Sequence, residues 1–272
     1  MAFERLIYTN EAGKSIEMSI DADYFVNVRM GTSGLRGTDT KIYSEQIVNT
    51  DGEIETGFHV NARDISLSGF IRKTNQDEQN SFIDELSSVF SPFLSGVLRY
   101  EGAYIREIDV RPETAPKIKF RSGNPFPAFD IDLVALNPNW RSTVINSADI
   151  DYTGTDIYYN GTKACGMEIT ITASADAIDM ESLTITNGDS VETITFRNSG
   201  TALSDGDVLI INTTPGAVSV MLNSVSALER IDFANTEFPK LYAGSNTIEW
   251  AADGDEASFD VSVEYVPLYL SM

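Results

Sequence analysis

The sequence has little of the chemistry that many hydrolases need. Its 272 residues include one histidine, His59, and one cysteine, Cys165. A single cysteine cannot form an intramolecular disulfide, and a small buried apolar side chain is its commoner role. A serine or cysteine nucleophile activated by histidine would have to use His59, which lies in an alternating strand pattern without an identifiable partner. The sequence therefore favours a protein that is not an enzyme.

Basic residues and long apolar runs are also scarce. The chain has 19 basic and 41 acidic residues, a formal net charge of −22 at pH 7. Such a charge repels nucleic-acid phosphates and argues against a nucleic-acid-binding protein. No apolar run approaches the roughly 20 residues of a membrane-spanning helix, and residues 1–10 lack the apolar core of a signal peptide. We therefore expect no insertion into a membrane.

Acidic residues are plentiful, but their spacing does not define a reactive site. Asp130/Asp132 and Asp149/Asp151 have the spacing of the solvent-facing side of a strand; the alternative is the acid/base pair of a glycosidase. Residues 253–256 offer oxygen ligands for calcium, yet they lack the twelve-residue ligand spacing of an EF-hand and are typical of a charged turn. We expect no catalytic residue, no metal and no cofactor.

The clearest structural pattern lies in residues 64–100. Its first eight residues alternate between two faces, which predicts a β-strand. Asn75 followed by Glu78 forms an N-cap pattern for a helix, and Pro92 ends the helical run. Gln79 is expected on the polar face of that helix. The apolar stripe, which should pack on a sheet, consists of Phe82, Ile83, Leu86, Val89 and Phe90.

A glycine-rich loop and a hairpin precede this region. Gly31, Gly34 and Gly37 have a spacing that resembles a phosphate-binding loop, but the Lys-Ser/Thr of a nucleotide cradle is missing and no helix pattern follows. We expect instead a flexible loop that leaves Leu35 exposed. Further along, Asp51-Gly52 separates two extended runs, and both positions of a type I′ turn tolerate this dipeptide. The pattern predicts a β-hairpin from Ile42–Val48 and Ile54–Val60.

The composition changes after Arg141. Basic residues become few, and short runs rich in Thr, Ile and Val alternate with turn clusters such as Asp205-Gly206-Asp207. Segments of this kind about 10 residues apart are typical of an antiparallel β-sandwich. The predicted fold class is mainly β in two domains: residues 1–141, a β-sandwich or split-barrel-like domain with one α-helix, and residues 142–272, an antiparallel β-sandwich. One helical turn is expected within Leu228–Phe233.

Four aromatic residues of the second half are weak candidates for a sugar-stacking platform. They are Tyr158, Tyr159, Tyr242 and Trp250. Stacking on a sugar requires that the rings be exposed together, whereas burial in the sandwich core is the alternative that the sequence favours.

The order of the predicted elements resembles one known family. In the first half it runs from Arg63-Asp64-Ile65-Ser66-Leu67-Ser68-Gly69-Phe70-Ile71 through the helix and Leu98-Arg99-Tyr100 to Phe129-Asp130-Ile131-Asp132-Leu133, Pro138 and Trp140. In the second half it includes Asn160-Gly161-Thr162 and residues 205–216, 241–248 and 263–270. The order is similar to that of the distal tail proteins (Dit) of long-tailed, siphovirus-type bacteriophages and prophages, many of which carry a galectin-like C-terminal sandwich.

The resemblance implies a structural role at the tip of a virion tail. It implies a homo-hexameric ring that joins the tail tube protein to a tail-associated tip protein and to the receptor-binding proteins of the adhesion apparatus. DNA would pass through the ring without specific binding, and the protein would be made in the cytoplasm of the bacterial host. The alternative is a carbohydrate- or receptor-binding module of a phage baseplate.

The second half departs from true galectins at the residues that bind sugar. Galectins use a histidine and arginine set and a tryptophan followed by a glutamate. Here the second half has no histidine, and Glu249 precedes Trp250. Likeness of fold alone does not imply sugar binding.

A ring of identical chains needs two different contact patches on each copy. The predicted hairpin is one candidate, because unpaired sheet edges are either covered or used for binding. Its proposed contact residues are Ile42, Tyr43, Ile47 and Val48. The strand ends near Tyr104–Arg111 are the second candidate patch.

Overall fold

Strands account for most of the regular structure, as the alternating sequence predicts. The computed structural model describes residues 4–47, 51–120, 122–174, 179–187, 190–197, 203–253 and 259–272. The chain divides into two units, Met1–Thr143 with Tyr269–Met272, and Val144–Leu268. The predicted domains, residues 1–141 and 142–272, stay a prediction about independent folding.

The first unit contains twelve strands and an α-helix that are consecutive along the chain. They are β1 (Arg5–Asn10), β2 (Ser15–Ser19), β3 (Tyr24–Phe25), β4 (Thr32–Ser33), β5 (Thr40–Gln46), β6 (Glu53–Val60), β7 (Arg63–Ile71), α1 (Gln76–Val89), β8 (Gly96–Glu101), β9 (Ile105–Pro112), β10 (Lys117–Lys119), β11 (Ala128–Ala135) and β12 (Trp140–Ser142).

Seven of these strands close into a barrel. Their order is β11-β7-β3-β2-β1-β8-β9, and the pairs Leu133↔Pro112 and Val134↔Arg111 join β11 back to β9. Alternate side chains of each strand point inward, so that in β7 Ile65 and Leu67 are completely buried. The predicted mainly β, barrel-like fold of this half is confirmed.

Helix α1 packs its apolar stripe on the barrel, as predicted. The Asn75 side chain accepts a hydrogen bond from the Asp77 backbone N–H at 2.9 Å and so caps the helix. Leu86 and Val89 are buried, and the Phe90 ring stacks on Tyr8 with 4.3 Å between centroids. The other two stripe residues are partly buried against the same core.

The expectation that Gln79 lies on a polar face is wrong. Its side chain is buried, and Nε2 donates to the carbonyl oxygens of Lys73 at 2.6 Å and Pro125 at 2.7 Å. Gln79 therefore joins the first turn of α1 to two connecting segments. Gln79 lies three residues before Phe82 and so on the face of the stripe, but its polar side chain led to the opposite assignment. Its acceptors are backbone carbonyl groups outside the helix, which the helix pattern does not reveal.

Arg63, the first residue of β7, organises the glycine-rich loop. Its buried guanidinium donates to the carbonyl oxygens of Gly34, Gly37, Pro138 and Leu270 at distances of 2.6–2.8 Å. No carboxylate of the described residues forms an ion pair with it, and burial lowers its pKa. One cation thus joins the loop, the segment after β11 and the C-terminal residues.

The same loop contradicts the expectation that Leu35 is exposed. Leu35 is buried, and its carbonyl oxygen accepts from the Met272 N–H at 3.4 Å. Gly34 has φ +77°, and a Cβ atom there would collide with the Asp64 carbonyl oxygen. Backbone packing explains the glycine at this position, so a phosphate-binding role is not required to account for it.

The second unit contains ten strands and a 3₁₀ turn. They are β13 (Asn146–Ile150), β14 (Thr155–Tyr159), β15 (Glu168–Ala173), β16 (Asp179–Asn187), β17 (Ser190–Thr195), β18 (Val208–Asn212), β19 (Ser219–Leu222), β20 (Val225–Ser226), the turn Leu228–Arg230, β21 (Gly244–Asp253) and β22 (Phe259–Tyr265). A short C-terminal strand, β23 (Leu268–Tyr269), follows them.

These strands form the predicted antiparallel sandwich. One sheet has the order β13-β22-β15-β18-β19-β20 and the other β14-β21-β16-β17. Side chains such as Ile169 and Val263 from the first sheet and Ile248 from the second are completely buried in one core. The single helical turn at Leu228–Arg230 agrees with the prediction. Within the described residues, no helix is both long and apolar enough to cross a membrane.

We predict that Gln79→Ala destabilises the protein by about 1–3 kcal/mol, because it removes the buried amide that donates to two part-buried carbonyl groups. Asn80→Ala is the matched control, since Asn80 is the exposed neighbour on the same helix turn. The measurement is the free energy of unfolding in urea. Equal small effects for both variants would contradict the role assigned to Gln79.

We predict that Arg63→Met costs about 2–5 kcal/mol of stability, because four carbonyl oxygens from three segments lose their shared donor. Arg36→Met, at an exposed arginine of the same loop, should change stability little. Thermal unfolding followed by circular dichroism measures both. A similar melting temperature for the two variants would show that Arg63 does not hold the loop and the C-terminal residues.

Candidate functional site

The hairpin β5–β6 forms a sheet of its own within the described residues. The strands pair antiparallel from Thr40↔Val60 to Gln46↔Glu53, with a bulge after Tyr43. Gly52 has φ +99°, a conformation that suits glycine in a turn. The predicted hairpin is confirmed, while residues 48–50 lie outside the described part of the chain.

Apolar side chains occupy both faces of this hairpin. Ile42 and Phe58 are cross-strand partners on one face, and they are 62% and 63% exposed. Tyr43 and Ile54 lie on the opposite face and are also exposed. The Lys41 ammonium sits over the Tyr43 ring, 5.1 Å from its centroid.

An isolated two-stranded hairpin is marginally stable in water and needs a third strand or another element to cover it. Here nearly every residue of β5 and β6 is exposed, so neither face is covered by the described part of the chain. Large exposed apolar patches of this kind mark sites of protein binding. The hairpin is therefore the strongest candidate for a binding surface.

The structure places three of the four predicted contact residues on this surface. Ile42, Tyr43 and Ile47 are exposed, and Val48 lies outside the described residues. The sequence reasoning missed Ile54 and Phe58, which are equally exposed. For Phe58 the signal was the pairing register, since a residue opposite Ile42 in an uncovered hairpin shares its surroundings.

The second predicted patch, Tyr104–Arg111, spans the length of β9. Tyr104 and Ile105 are exposed near its start. At its other end, Asp109, Val110 and Arg111 line a groove of about 580 Å³. The groove crosses the ends of β1, β8, β9 and β11, and its remaining lining residues are Thr9, Asn10, Glu11, Ser95, Gly96, Val97, Val134, Leu136 and Asn137.

The acidic residues considered for catalysis form ion pairs on a strand. Lys117 contacts Asp132 at 2.7 Å, and Lys119 contacts Asp130. Hydrogen bonds from these lysines and from serines of β7 lower the pKa of both carboxyl groups. Both acids are thus stabilised as carboxylates on the solvent-facing side of β11, as their spacing predicts.

The remaining reactive residues also have structural surroundings. Burial raises the pKa of the Cys165 thiol to about 11, which disfavours the nucleophilic thiolate. His59 lies exposed on the hairpin. No cluster of three or more His, Cys, Asp or Glu residues suited to a metal occurs in the described ranges. Most of the acidic turn at 253–256 lies outside them.

The four aromatic residues of the suggested sugar platform are not exposed together. Tyr158 is 77% exposed, whereas Tyr159 and Trp250 are only 1% and 6% exposed. The Tyr242 hydroxyl donates to Glu192, and this hydrogen bond helps to raise the pKa of Tyr242 to about 12. The four rings therefore do not form one exposed surface. Alternation along β14 turns Tyr158 and Tyr159 to opposite sides.

Two family models match the chain. The one described as the phage tail protein RIFT-related domain matches residues 12–134, and the one described as the C-terminal domain of the siphovirus-type tail component matches residues 160–269. The chain belongs to the family of siphovirus distal tail proteins. This family consists of structural components of the phage tail hub and is not known for enzymatic activity. No curated protein sequence matches the chain.

One solved structure shows the same fold. The Dit (gp 19.1) protein of phage SPP1, described as a paradigm of the hub adsorption apparatus in phages that infect Gram-positive bacteria, has 10% sequence identity and a TM-score of 0.73. The match covers 97% of this chain and 98% of the SPP1 chain. Chains of the activated phage P2 baseplate with Ca and with Sr have 11% identity and TM-scores of 0.43 and 0.42. Those matches cover 97% and 96% of this chain and 98% of each baseplate chain.

We predict that a fragment of residues 144–268 unfolds in one cooperative step and that millimolar galactose leaves its melting temperature unchanged. Its strands close on their own core, and a ligand stabilises only a protein that binds it. Differential scanning calorimetry with and without galactose tests both points. A clear upward shift with galactose would favour a receptor-binding sandwich.

Proposed function

We propose that this distal tail protein is a structural hub that assembles into a hexameric ring at the tip of the phage tail. The ring joins the tail tube to a tip protein and leaves a passage for DNA. The observation that carries the proposal is the uncovered hairpin β5–β6, with apolar side chains on both faces.

A hairpin of this kind suits a ring better than a two-fold dimer. Identical copies close into a ring through a heterologous contact, in which one patch meets a different patch on the next copy. The hairpin and the region of β9 are separate patches of the first unit, so each copy can donate one and offer the other. Repetition around an axis then covers every hairpin.

The negative charge of the chain is compatible with DNA that passes through the ring without being bound. With a net charge of −22, the protein repels phosphate groups and releases no counterions by binding them. DNA in the lumen of an acidic ring would slide instead of being held. The tail tube protein, the tip protein and receptor-binding proteins are the partners that such a hub would contact in the virion.

The alternative of a carbohydrate-binding module has lost its main support. It required four exposed aromatic rings, and two of them are core residues. The absence of catalysis likewise belongs to this proposal. A structural hub needs no nucleophile, and two of the candidate acids, Asp130 and Asp132, form ion pairs with lysines.

We predict that the full chain has a solution mass of about six times its 29.8 kDa and that the pair of changes Ile42→Asp and Phe58→Asp shifts it toward the monomer. Charges at these positions would have to be desolvated in the contact, which is costly. Multi-angle light scattering measures the mass. Because both side chains are exposed, the melting temperature of the monomer should change little.

Thr56→Asp is the matched control. It adds a charge to an exposed polar position of the same hairpin, so it should leave the assembly intact. A monomeric full chain at high concentration would refute the ring. Full assembly of the Ile42→Asp, Phe58→Asp variant would refute the role of the hairpin.

A further inference from the structure

We propose that a cavity at one end of the six-stranded sheet of the second unit binds a primary ammonium group carried on an aliphatic stem. The cavity has a volume of about 280 Å³ and lies where β15 begins and where β18 and β22 end. Every residue that lines it belongs to the unit Val144–Leu268, whereas the proposed ring uses elements of the first unit. The inference is therefore independent of the ring.

Two carboxylates stand side by side at this cavity. Glu168 of β15 and Glu264 of β22 are direct cross-strand partners, and both are exposed on the outer face of the sheet. Side chains in such positions have Cβ atoms about 5 Å apart, and like charges there repel each other. Within the described residues neither glutamate forms an ion pair. A bound cation would remove this repulsion.

The described part of the chain supplies no cation of its own to the two glutamates. Lys163 approaches the cavity, since its backbone N–H donates to the Leu268 carbonyl oxygen at 3.2 Å. Its side chain, however, neither lines the cavity nor forms an ion pair with either glutamate. Residues 144–268 contain four basic and 20 acidic residues, a net charge of −16. The field of this charge raises the concentration of cations around the second unit.

The apolar lining of the cavity selects among cations. It comes from Ile145, Met167, Val266 and Leu268, and Ile145 is 63% exposed. A metal ion is a poor occupant, because it needs several oxygen ligands and no cluster of three or more metal-binding side chains occurs in the described ranges. An aliphatic stem can cover the apolar lining while its ammonium stays at the exposed carboxylates, as lysine side chains do on protein surfaces.

The volume of the cavity limits the occupant to one small group. Sites for drug-sized ligands measure about 300–1,000 Å³, so a cavity of about 280 Å³ suits a single chain of a few carbon atoms. A primary ammonium has three hydrogen-bond donors and no acceptor, which matches carboxylates that only accept. Two sources carry this chemistry, a free aliphatic amine and the lysine side chain of a partner protein.

Saturation-transfer NMR on the full-length protein tests the site with n-pentylamine as the probe. The amine should bind roughly fivefold or more tightly than 1-pentanol, which has the same stem without the charge. Glu168→Gln combined with Glu264→Gln should weaken binding of the amine by a similar factor. The matched control is Asp149→Asn combined with Asp260→Asn. It removes the same charge from exposed positions of the same sheet outside the cavity, so it should leave the affinity nearly unchanged.

A series of amines tests the apolar lining. The affinity should rise from methylamine to n-pentylamine, because only the longer stem reaches the apolar side chains. Ile145→Ser should reduce that rise and leave the binding of methylamine unchanged. Equal weakening by the glutamate changes and by the aspartate control would overturn the site, since the acidic surface would then attract cations without a defined position. Equal binding of n-pentylamine and 1-pentanol would overturn the role of the ammonium.

Nα-acetyl-lysine methylamide distinguishes the two sources of the ammonium. Binding as tight as that of n-pentylamine would identify a partner's lysine as the occupant, because the side chain then fits with its backbone attached. Binding of n-pentylamine alone would identify a free amine, and either result supports the site. Failure of both probes to bind at millimolar concentration would overturn it. None of these measurements depends on assembly, so their outcome leaves the proposed ring to its own test.

Discussion

One buried cation, Arg63, holds together the parts of the first unit that have little regular structure. Its four carbonyl acceptors come from the glycine-rich loop, the segment after β11 and the C-terminal residues. Carbonyl groups carry no formal charge, so the guanidinium is stabilised only while all its hydrogen bonds are made. The end of the barrel from which the hairpin projects therefore depends on residues far apart in sequence, including Leu270.

The exposed hairpin β5–β6 is the second feature on which the proposed function depends. The hairpin cannot bury its apolar side chains against its own barrel, because both faces point to solvent. An exposed apolar surface lowers the solubility of a protein unless a partner covers it. Assembly is the simplest use of such an element in a family of tail hub components.

Much of the architecture was predictable because the local patterns were strong and agreed with their surroundings. Asn75 and the stripe ending at Phe90 specified helix α1, and Asp51-Gly52 specified the hairpin. Gln79 and Leu35 were assigned wrongly, because each contacts a segment distant in sequence, at Pro125 and Met272 respectively. Only part of the candidate surface was predicted from the sequence. Ile42 was expected at a subunit contact, but its cross-strand partner Phe58 was not, because a bulge shifts the pairing of the two strands by one residue.

The sequence by itself determined the mainly β character, helix α1 and the change of composition after Arg141, because these follow from composition and local periodicity. Only the tertiary structure decided the closure of the barrel through β9 and β11, the return of Tyr269–Met272 to the first unit and the burial of Trp250. The physical reason is that strand order and burial depend on contacts between distant residues, and those contacts leave no periodic signal in the chain.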